Sequence, residues 1–474
     1  MKSTYIISYL MVGAFALGAL SSCKKQLNAL PSQAVVDATV VVDQKSAEIA
    51  LNGGYYRLAN AGTTLSAQST RWSNTHEVTP AMLAGWMQYG FGPVNFQTHT
   101  YTPASTGDWG YAYGVLNAVN GTIAGVEALP ESAFSGDRKK EMLAEARFLR
   151  AYAHFFLLSY FGEWYTLDSK HGVMMRKEPL TFNNGSNATR STVKESYDFI
   201  LEDIDYAIAN GPVNRPVYYA NKAAAQALKL RVLISRGQQA DYTELISIAN
   251  TLIGNPAYAL ETNLKDLFLT KGLTSKEVIF GVTPYTSQVG KKATYEFVQS
   301  SVYIATKAFK DLLANDPRGT WMLRTTPAGV STMIKDSSYM NKFTGPKYED
   351  VYVFRLTEAY LLKAEAIVRS NGSLTEAKNI LKEIMGHAGV TDFSAVDNAV
   401  TKDEVLYQIY LEFSRNMTAE DGIEWFALLR LPFEKVLEIR PTILTRERRI
   451  LPIPATEFQL NPNIGDQNPG YPKQ

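Results

Sequence analysis

Apolar residues recur at spacings of three and four along Glu141–Tyr160, where Leu143, Ala146, Leu149, Ala153, Phe156 and Tyr160 fall on one helical face. Phe148, Tyr152 and Phe155 make a second stripe beside the first, so the C-terminal half of the stretch is apolar almost all round. A helix with that pattern has neighbours on most sides. The spacing therefore predicts a central buried helix, with Phe161-Gly162 as its stop and the glycine at positive φ.

The same pattern returns twice. Ala146-Arg-Phe-Leu-Arg-Ala-Tyr-Ala153 is echoed by Ala225-Gln-Ala-Leu-Lys-Leu-Arg-Val232 and by Ala359-Tyr-Leu-Leu-Lys-Ala-Glu-Ala366, with small residues where a partner helix must approach closely. Such repetition predicts a mainly α fold of stacked helical hairpins of the tetratricopeptide type. The copies are unequally spaced, so the array is degenerate and carries insertions. The alternative is a likeness by composition alone among three Ala/Leu-rich helices.

Further helices are predicted near Lys45–Leu58, Tyr111–Ala128, Thr192–Asn210, Asn221–Arg236, Asp241–Ile253 and Thr306–Leu313. Ser191 or Thr192 is the expected N-cap of the third of these, and Gly211-Pro212 its stop. Val351–Arg369 and Leu374–Ala388 predict a helical hairpin across Ser370-Asn-Gly372, with helices near Asp403–Phe413 and Gly422–Leu431 after it. Glu277–Val282 and Tyr295–Ile304 read as short strands or loop edges. Periodicity fades near 62–110, where Gly, Pro, Thr and Asn surround Trp72, Trp86, Tyr89, Phe91, Phe96, Tyr101 and Trp109. It fades again within 255–350, a segment that contains Trp321. Long irregular segments are uncommon in compact domains unless they serve a function. The expectation is one domain over 23–474, a helical framework with these two insertions.

Composition changes the picture at one point. Of 474 residues, 46% are hydrophobic and 20% charged, with a formal net charge of +1, so nothing calls for nucleic acid as a partner. The sole Cys excludes a disulfide framework and a cysteine metal site. It lies in Leu20-Ser-Ser-Cys23, directly after Lys2 and an apolar run from Tyr5 to Leu20. That run is short for a membrane span and has the form of a signal-peptide core. Leu-Ser-Ser-Cys fits a bacterial lipobox, so residues 1–22 are expected to be a lipoprotein signal peptide and Cys23 the lipidated first residue. Acyl chains would then hold the protein on a membrane, at about 0.8 kcal/mol per buried methylene. Lys24 to Asp43 reads as a polar tether.

The five His residues are scattered without ligand spacing, and His154 is expected to be a core residue. No dinucleotide fingerprint, phosphate loop or nucleophile elbow is present, and no cofactor or metal is implied. Glu77 and Asp108 lie in the aromatic segment and offer the one pair that a glycosidase would need. What stands out is aromatic surface. Trp and Tyr rings suit the C–H faces of sugars or the side chains of peptides. Ligand binding is expected where the two insertions meet, with Trp72, Trp86, Tyr89, Tyr295 and Trp321 as platforms and Asn74 as a polar partner. The competing expectation is that these rings staple the loops to the helices.

The tail Arg449-Ile-Leu-Pro-Ile-Pro454, Leu460-Asn-Pro-Asn463 and Gln467-Asn-Pro-Gly-Tyr471 resembles the closing signature of the SusD/RagB outer-membrane lipoproteins. Glu145-Ala-Arg-Phe-Leu-Arg-Ala151 with Tyr160-Phe-Gly162, Asn315-Asp-Pro-Arg318 and Arg355-Leu-Thr-Glu-Ala-Tyr-Leu-Leu-Lys-Ala-Glu-Ala366 resemble three further family blocks in the same order. The chain departs at Asp421-Gly-Ile-Glu-Trp-Phe-Ala-Leu428, where Glu424 and Ala427 replace the family's charged residues, and at Lys24-Lys25, where surface-exported members tend to be acidic. The resemblance implies a lipid-anchored outer-membrane protein, without catalytic activity, displayed at the cell surface. Such a protein captures glycan fragments, or in some members peptides, for a TonB-dependent transporter of the SusC type. A glycoside hydrolase lipoprotein and a two-lobed periplasmic-type binding protein are the rival readings. The second would need βαβ alternation, of which the chain has little.

Overall fold

The long amphipathic stretches form helices in the computed structural model, which describes residues 41–60, 72–104, 107–180, 188–283, 291, 295, 303–325, 337–343 and 349–473. In chain order the framework helices begin with α1 (Gln44–Asn60), and a π-helical turn, Ser73–Val78, runs into α2 (Thr79–Ala84). Then come α3 (Gly107–Ala128), α4 (Arg138–Phe161), α5 (Val193–Asn210), α6 (Lys222–Arg236) and α7 (Gln239–Ile253). The C-terminal half supplies α8 (Lys307–Leu312), α9 (Leu356–Arg369), α10 (Leu374–His387), α11 (Lys402–Met417), α12 (Ile423–Leu429) and α13 (Phe433–Ile439). Each of α3 to α7 packs against its chain neighbour, α7 packs on α9, and α9 on α10 and α11. The chain is thus mainly helical, as the periodicity predicts.

Helix α4 is the centre of this arrangement. Its side chains from Tyr152 to Phe161 are all buried, because the helix is wrapped by α1, α3, α5 and α6. The helix stops at Phe161-Gly162 as expected, but Gly162 is extended at φ −112° and does not use the positive φ that a glycine accepts. Glycine is needed there for room, since a Cβ would lie 2.7 Å from Leu158 Cδ1 and 3.0 Å from the Leu158 carbonyl oxygen. At α5 the expected N-cap forms in full. Thr192 Oγ1 accepts from the Glu195 N–H at 3.1 Å, and Glu195 Oε2 accepts from the Thr192 N–H at 2.8 Å.

Two segments differ from expectation. Val351–Arg355 is strand β4, not the first turn of a helix, and pairs antiparallel with β2 (Val278–Val282). Every residue of both strands is buried, so the run Val-Tyr-Val-Phe carries no alternation to separate it from an apolar helix. Branched and aromatic side chains favour the strand. In the first insertion, residues 73–84 are helical and buried except for Asn74, where an irregular segment was expected.

Buried ion pairs tie the two halves of the framework together. Arg231 of α6 reaches Glu358 of α9 at 2.5 and 2.9 Å, and also Asp421. Arg355 holds Glu420 at 2.6 Å and Glu277. Arg318, of the expected Asp-Pro-Arg turn, is fully buried between Asp316 at 2.7 Å and Glu412 at 2.5 Å. Charges this deep persist only with partners. Helix α2 packs on α12 beside Gly422, where a Cβ would meet the Tyr160 hydroxyl at 2.7 Å and Pro80 at 3.1 Å.

Candidate functional site

The two insertions meet at a short antiparallel ribbon. Strand β1 (Met87–Tyr89) comes from the first insertion and β3 (Tyr303–Ala305) from the second, with Tyr89 opposite Tyr303. The two tyrosine rings lie 5.8 Å apart, and Phe91 packs on Tyr89 at 5.8 Å. All three rings are half-buried, so each keeps part of its surface open. The ribbon is held from both ends. Gln97 Oε1 accepts from the Tyr89 and Val94 N–H groups, both at 3.1 Å, and the Thr306 hydroxyl donates to the Gly85 carbonyl at 2.7 Å.

Beneath the ribbon lies core. Trp86 is buried against Phe309 and Tyr410 at 5.7 and 6.3 Å. Trp72 is 1% exposed and stacks on His76 at 3.9 Å; His76 in turn pairs with Asp421 at 2.7 Å. Trp321 packs on Phe268 at 5.9 Å and is buried. Tyr295 is fully buried and donates to Glu77 Oε2 at 2.9 Å. Of the residues expected to contact ligand, Tyr89 and Asn74 alone reach the surface, and the Trp72 ring is turned into the core while Asn74 is exposed. The sequence places Phe91 among the rings of the first insertion but not among the expected platforms, and it does not mark Tyr303. The short apolar run Val302-Tyr-Ile-Ala305 and the ring two positions after Tyr89 are the signals that the sequence carries for them.

The carboxylates divide in the same way. Glu77 forms a buried salt bridge with Lys291 at 2.8 Å. Burial pushes its carboxyl up, against the opposing pull of Lys291. Asp108 is half-buried and accepts from the Thr75 hydroxyl at 2.7 Å. Glu77 is thus spent on joining the two insertions. His154 is fully buried, its Nε2 accepts from the Arg176 N–H at 3.1 Å, and burial lowers its pKa to about 3. Among the described residues no group of three His, Cys, Asp or Glu is placed to hold a metal ion, and no helix is long and apolar enough to cross a membrane. Cys23 lies outside the described residues.

A second concave surface, of about 220 Å³, lies along Thr98–Pro103 and is closed by the C-terminal segment through Thr442, Leu444, Arg448 and Tyr471. Tyr101 and Tyr471 lie 6.1 Å apart on its floor, and Arg448 sits over the Tyr471 ring at 4.5 Å. Hydroxyls and rings alternate along it. No local pattern joins these segments, which are more than three hundred residues apart.

A family described as "Starch-binding associating with outer membrane" matches residues 25–234, and one described as "SusD family" matches residues 285–471. The SusD-like protein P38 of Formosa agariphila is 24% identical, with 99% of this chain and 100% of that protein covered. The crystal structure of a SusD superfamily protein from Bacteroides thetaiotaomicron superposes with a TM-score of 0.73 at 23% identity, covering 90% of this chain and 100% of that one. A laminarin-binding SusD-like protein superposes with a TM-score of 0.68 at 19% identity, with 90% and 100% covered. The two family matches together span most of the chain in the order of its own motifs, and the same helical fold recurs at full length: the chain belongs to the SusD/RagB family.

Proposed function

We propose that this protein captures glycan fragments at the outer membrane, held there by acyl chains on Cys23, and passes them to a TonB-dependent transporter of the SusC type. Binding takes place at the ribbon where the insertions meet, without turnover. The observation that carries this reading is the half-open group Tyr89, Phe91 and Tyr303. Rings with one face free lie flat against the C–H face of a pyranose, and the tyrosine hydroxyls remain at the edge for its polar groups. Membership of a family described as starch-binding supports the ligand class, and the fold is shared with a laminarin-binding protein. The net charge of +1 favours no strongly charged ligand.

The test is calorimetric titration of the purified protein with neutral oligosaccharides, β-glucan and α-glucan series first, alongside unstructured peptides. At least one glycan series is expected to bind, to lose affinity in Tyr89→Ala and Tyr303→Ala, and to yield no new reducing ends on incubation. Peptide binding with no glycan binding would move the protein to the peptide-binding reading. Glycan binding that survives both substitutions would take the site off the ribbon, with the Thr98–Pro103 cleft next in line.

A further inference from the structure

The cleft along Thr98–Pro103 holds a cation that the fold leaves without a counter-charge. Arg448 lines it half-buried, its Nη1 donates to the Tyr101 carbonyl at 3.3 Å, and its guanidinium lies over the Tyr471 ring at 4.5 Å. Among the described residues it pairs with no Asp or Glu, whereas nearby Arg446 reaches Glu434 at 3.9 Å. Glu447 is outside the lining and is held low by the Thr445 hydroxyl, with Arg449 and Arg446 adding to the pull. His99 is 2% exposed, and burial together with the charges of Arg440 and Arg448 lowers its pKa to about 3, so it stays neutral. Arg448 is thus the one charge among the described residues of the lining.

The rest of the lining is polar hydroxyl on one side and apolar side chain on another. Exposure alternates along the segment: His99, Tyr101 and Pro103 are buried, Thr98 is half-buried, and Thr100 and Thr102 are exposed. The Thr98 and Thr100 hydroxyls lie 2.7 Å apart. Each hydroxyl oxygen has two acceptor positions, so the pair keeps capacity for a ligand. On the C-terminal wall Leu444 is 75% exposed and offers an open apolar side chain. The volume of about 220 Å³ equals about seven waters at ~30 Å³ each, which is room for one ring and not for a chain.

We propose that this cleft binds a single sugar ring bearing one carboxylate, a uronic acid. The planar guanidinium of Arg448 presents paired N–H donors that match the two carboxylate oxygens. The threonine hydroxyls meet the ring hydroxyls, and Leu444 covers a C–H face. Its half-buried setting strengthens the ion pair relative to one in open water. A neutral sugar forgoes that pair, and a dianion brings a second charge for which the lining has no partner. The inference is separate from glycan capture at the ribbon, which the cleft adjoins in sequence: Gln97, the acceptor for the Tyr89 N–H, directly precedes Thr98.

Methyl glucuronide is the probe, titrated into the purified protein and followed by saturation-transfer NMR and calorimetry, with methyl glucoside, a glucose sulfate ester and acetate as comparators. The glucuronide is expected to saturate, the glucoside to bind about tenfold more weakly for want of the charge-assisted pair, the sulfate ester to bind more weakly than the glucuronide, and acetate not to saturate over the same range. Arg448→Gln should bring the glucuronide down about tenfold, to the level of the glucoside, and leave the glucoside unchanged. Should that variant not fold, Leu444→Glu, at an exposed position, sets a competing carboxylate in the same lining and must give the same loss. Tyr89→Ala should leave the glucuronide affinity unchanged, which keeps failure here distinct from failure at the ribbon. The proposal is overturned if the glucuronide fails to saturate, if any comparator binds as well, if the preference survives the substitutions in the cleft, or if Tyr89→Ala abolishes it.

Discussion

Burial separates the aromatic residues into two kinds that respond differently to truncation. Tyr89 is half-buried on the ribbon, so Tyr89→Ala should weaken glycan binding roughly fivefold to a hundredfold, the range of lost stacking platforms, with little change in melting temperature. Trp72 is 1% exposed and stacked on His76, so Trp72→Ala should instead cost about 3–5 kcal/mol of stability. Thermal melts and calorimetry on both variants check the contrast, and an unaltered melt for Trp72→Ala would contradict its burial. Glu424 provides a pH-dependent test. It is fully buried, one oxygen accepts from the Ala419 N–H at 3.0 Å, and the other has no partner among the described residues. Burial pushes this carboxyl up from 4.5 to about 8. With its pKa raised on folding, the folded state holds a proton that the unfolded chain has released. The stabilisation is complete below about pH 4.5 and is lost as pH rises toward 8, at up to about 1.4 kcal/mol per pH unit. Glu424→Gln keeps an acceptor for Ala419 and cannot ionise. Its stability relative to the native chain should therefore climb between pH 5 and 8 in denaturant titrations, and a flat difference would mean that Glu424 is ionised throughout.

Helix ends and strand runs show where sequence sufficed at the scale of elements. The third predicted helix, 192–210, starts one residue later than expected because Thr192 is its cap. Thr192→Ala should cost about 1 kcal/mol in urea unfolding; no loss would show that the cap is redundant with the burial of Tyr197 and Ile200. Such caps are legible because they depend on neighbours three residues away. Val351–Arg355 was not, because its strand pairing depends on Val278–Val282, more than seventy residues earlier. The candidate site fared likewise. That the insertions meet is visible in the β1–β3 ribbon and in the Glu77–Lys291 pair, yet aromatic content could not tell which rings face water. Trp86 and Tyr89 stand three residues apart, one packed beneath the ribbon and one half-open on it. Orientation of that kind is set by tertiary packing, which local periodicity does not encode.

The molecule as a whole combines a rigid helical frame with a proposed attachment at its N-terminus. Neutral overall charge gives little attraction to an anionic membrane surface, and no described helix can span a bilayer. The proposed attachment lies in the segment preceding α1, where the chain's sole thiol, Cys23, ends the lipobox-like Leu-Ser-Ser-Cys. One acyl chain binds a membrane only marginally, whereas a lipoprotein cysteine that carries several holds stably. Cys23→Ala removes the acceptor thiol without touching any described residue, so the folded domain and its glycan affinity should be unaltered. The variant is expected to move from the membrane pellet to the soluble fraction, or to be retained as an uncleaved precursor visible as a heavier band. Mass spectrometry of the native protein should find the acyl groups on residue 23. Mature-size Cys23→Ala protein that remained in the detergent phase after partition would show that attachment lies elsewhere.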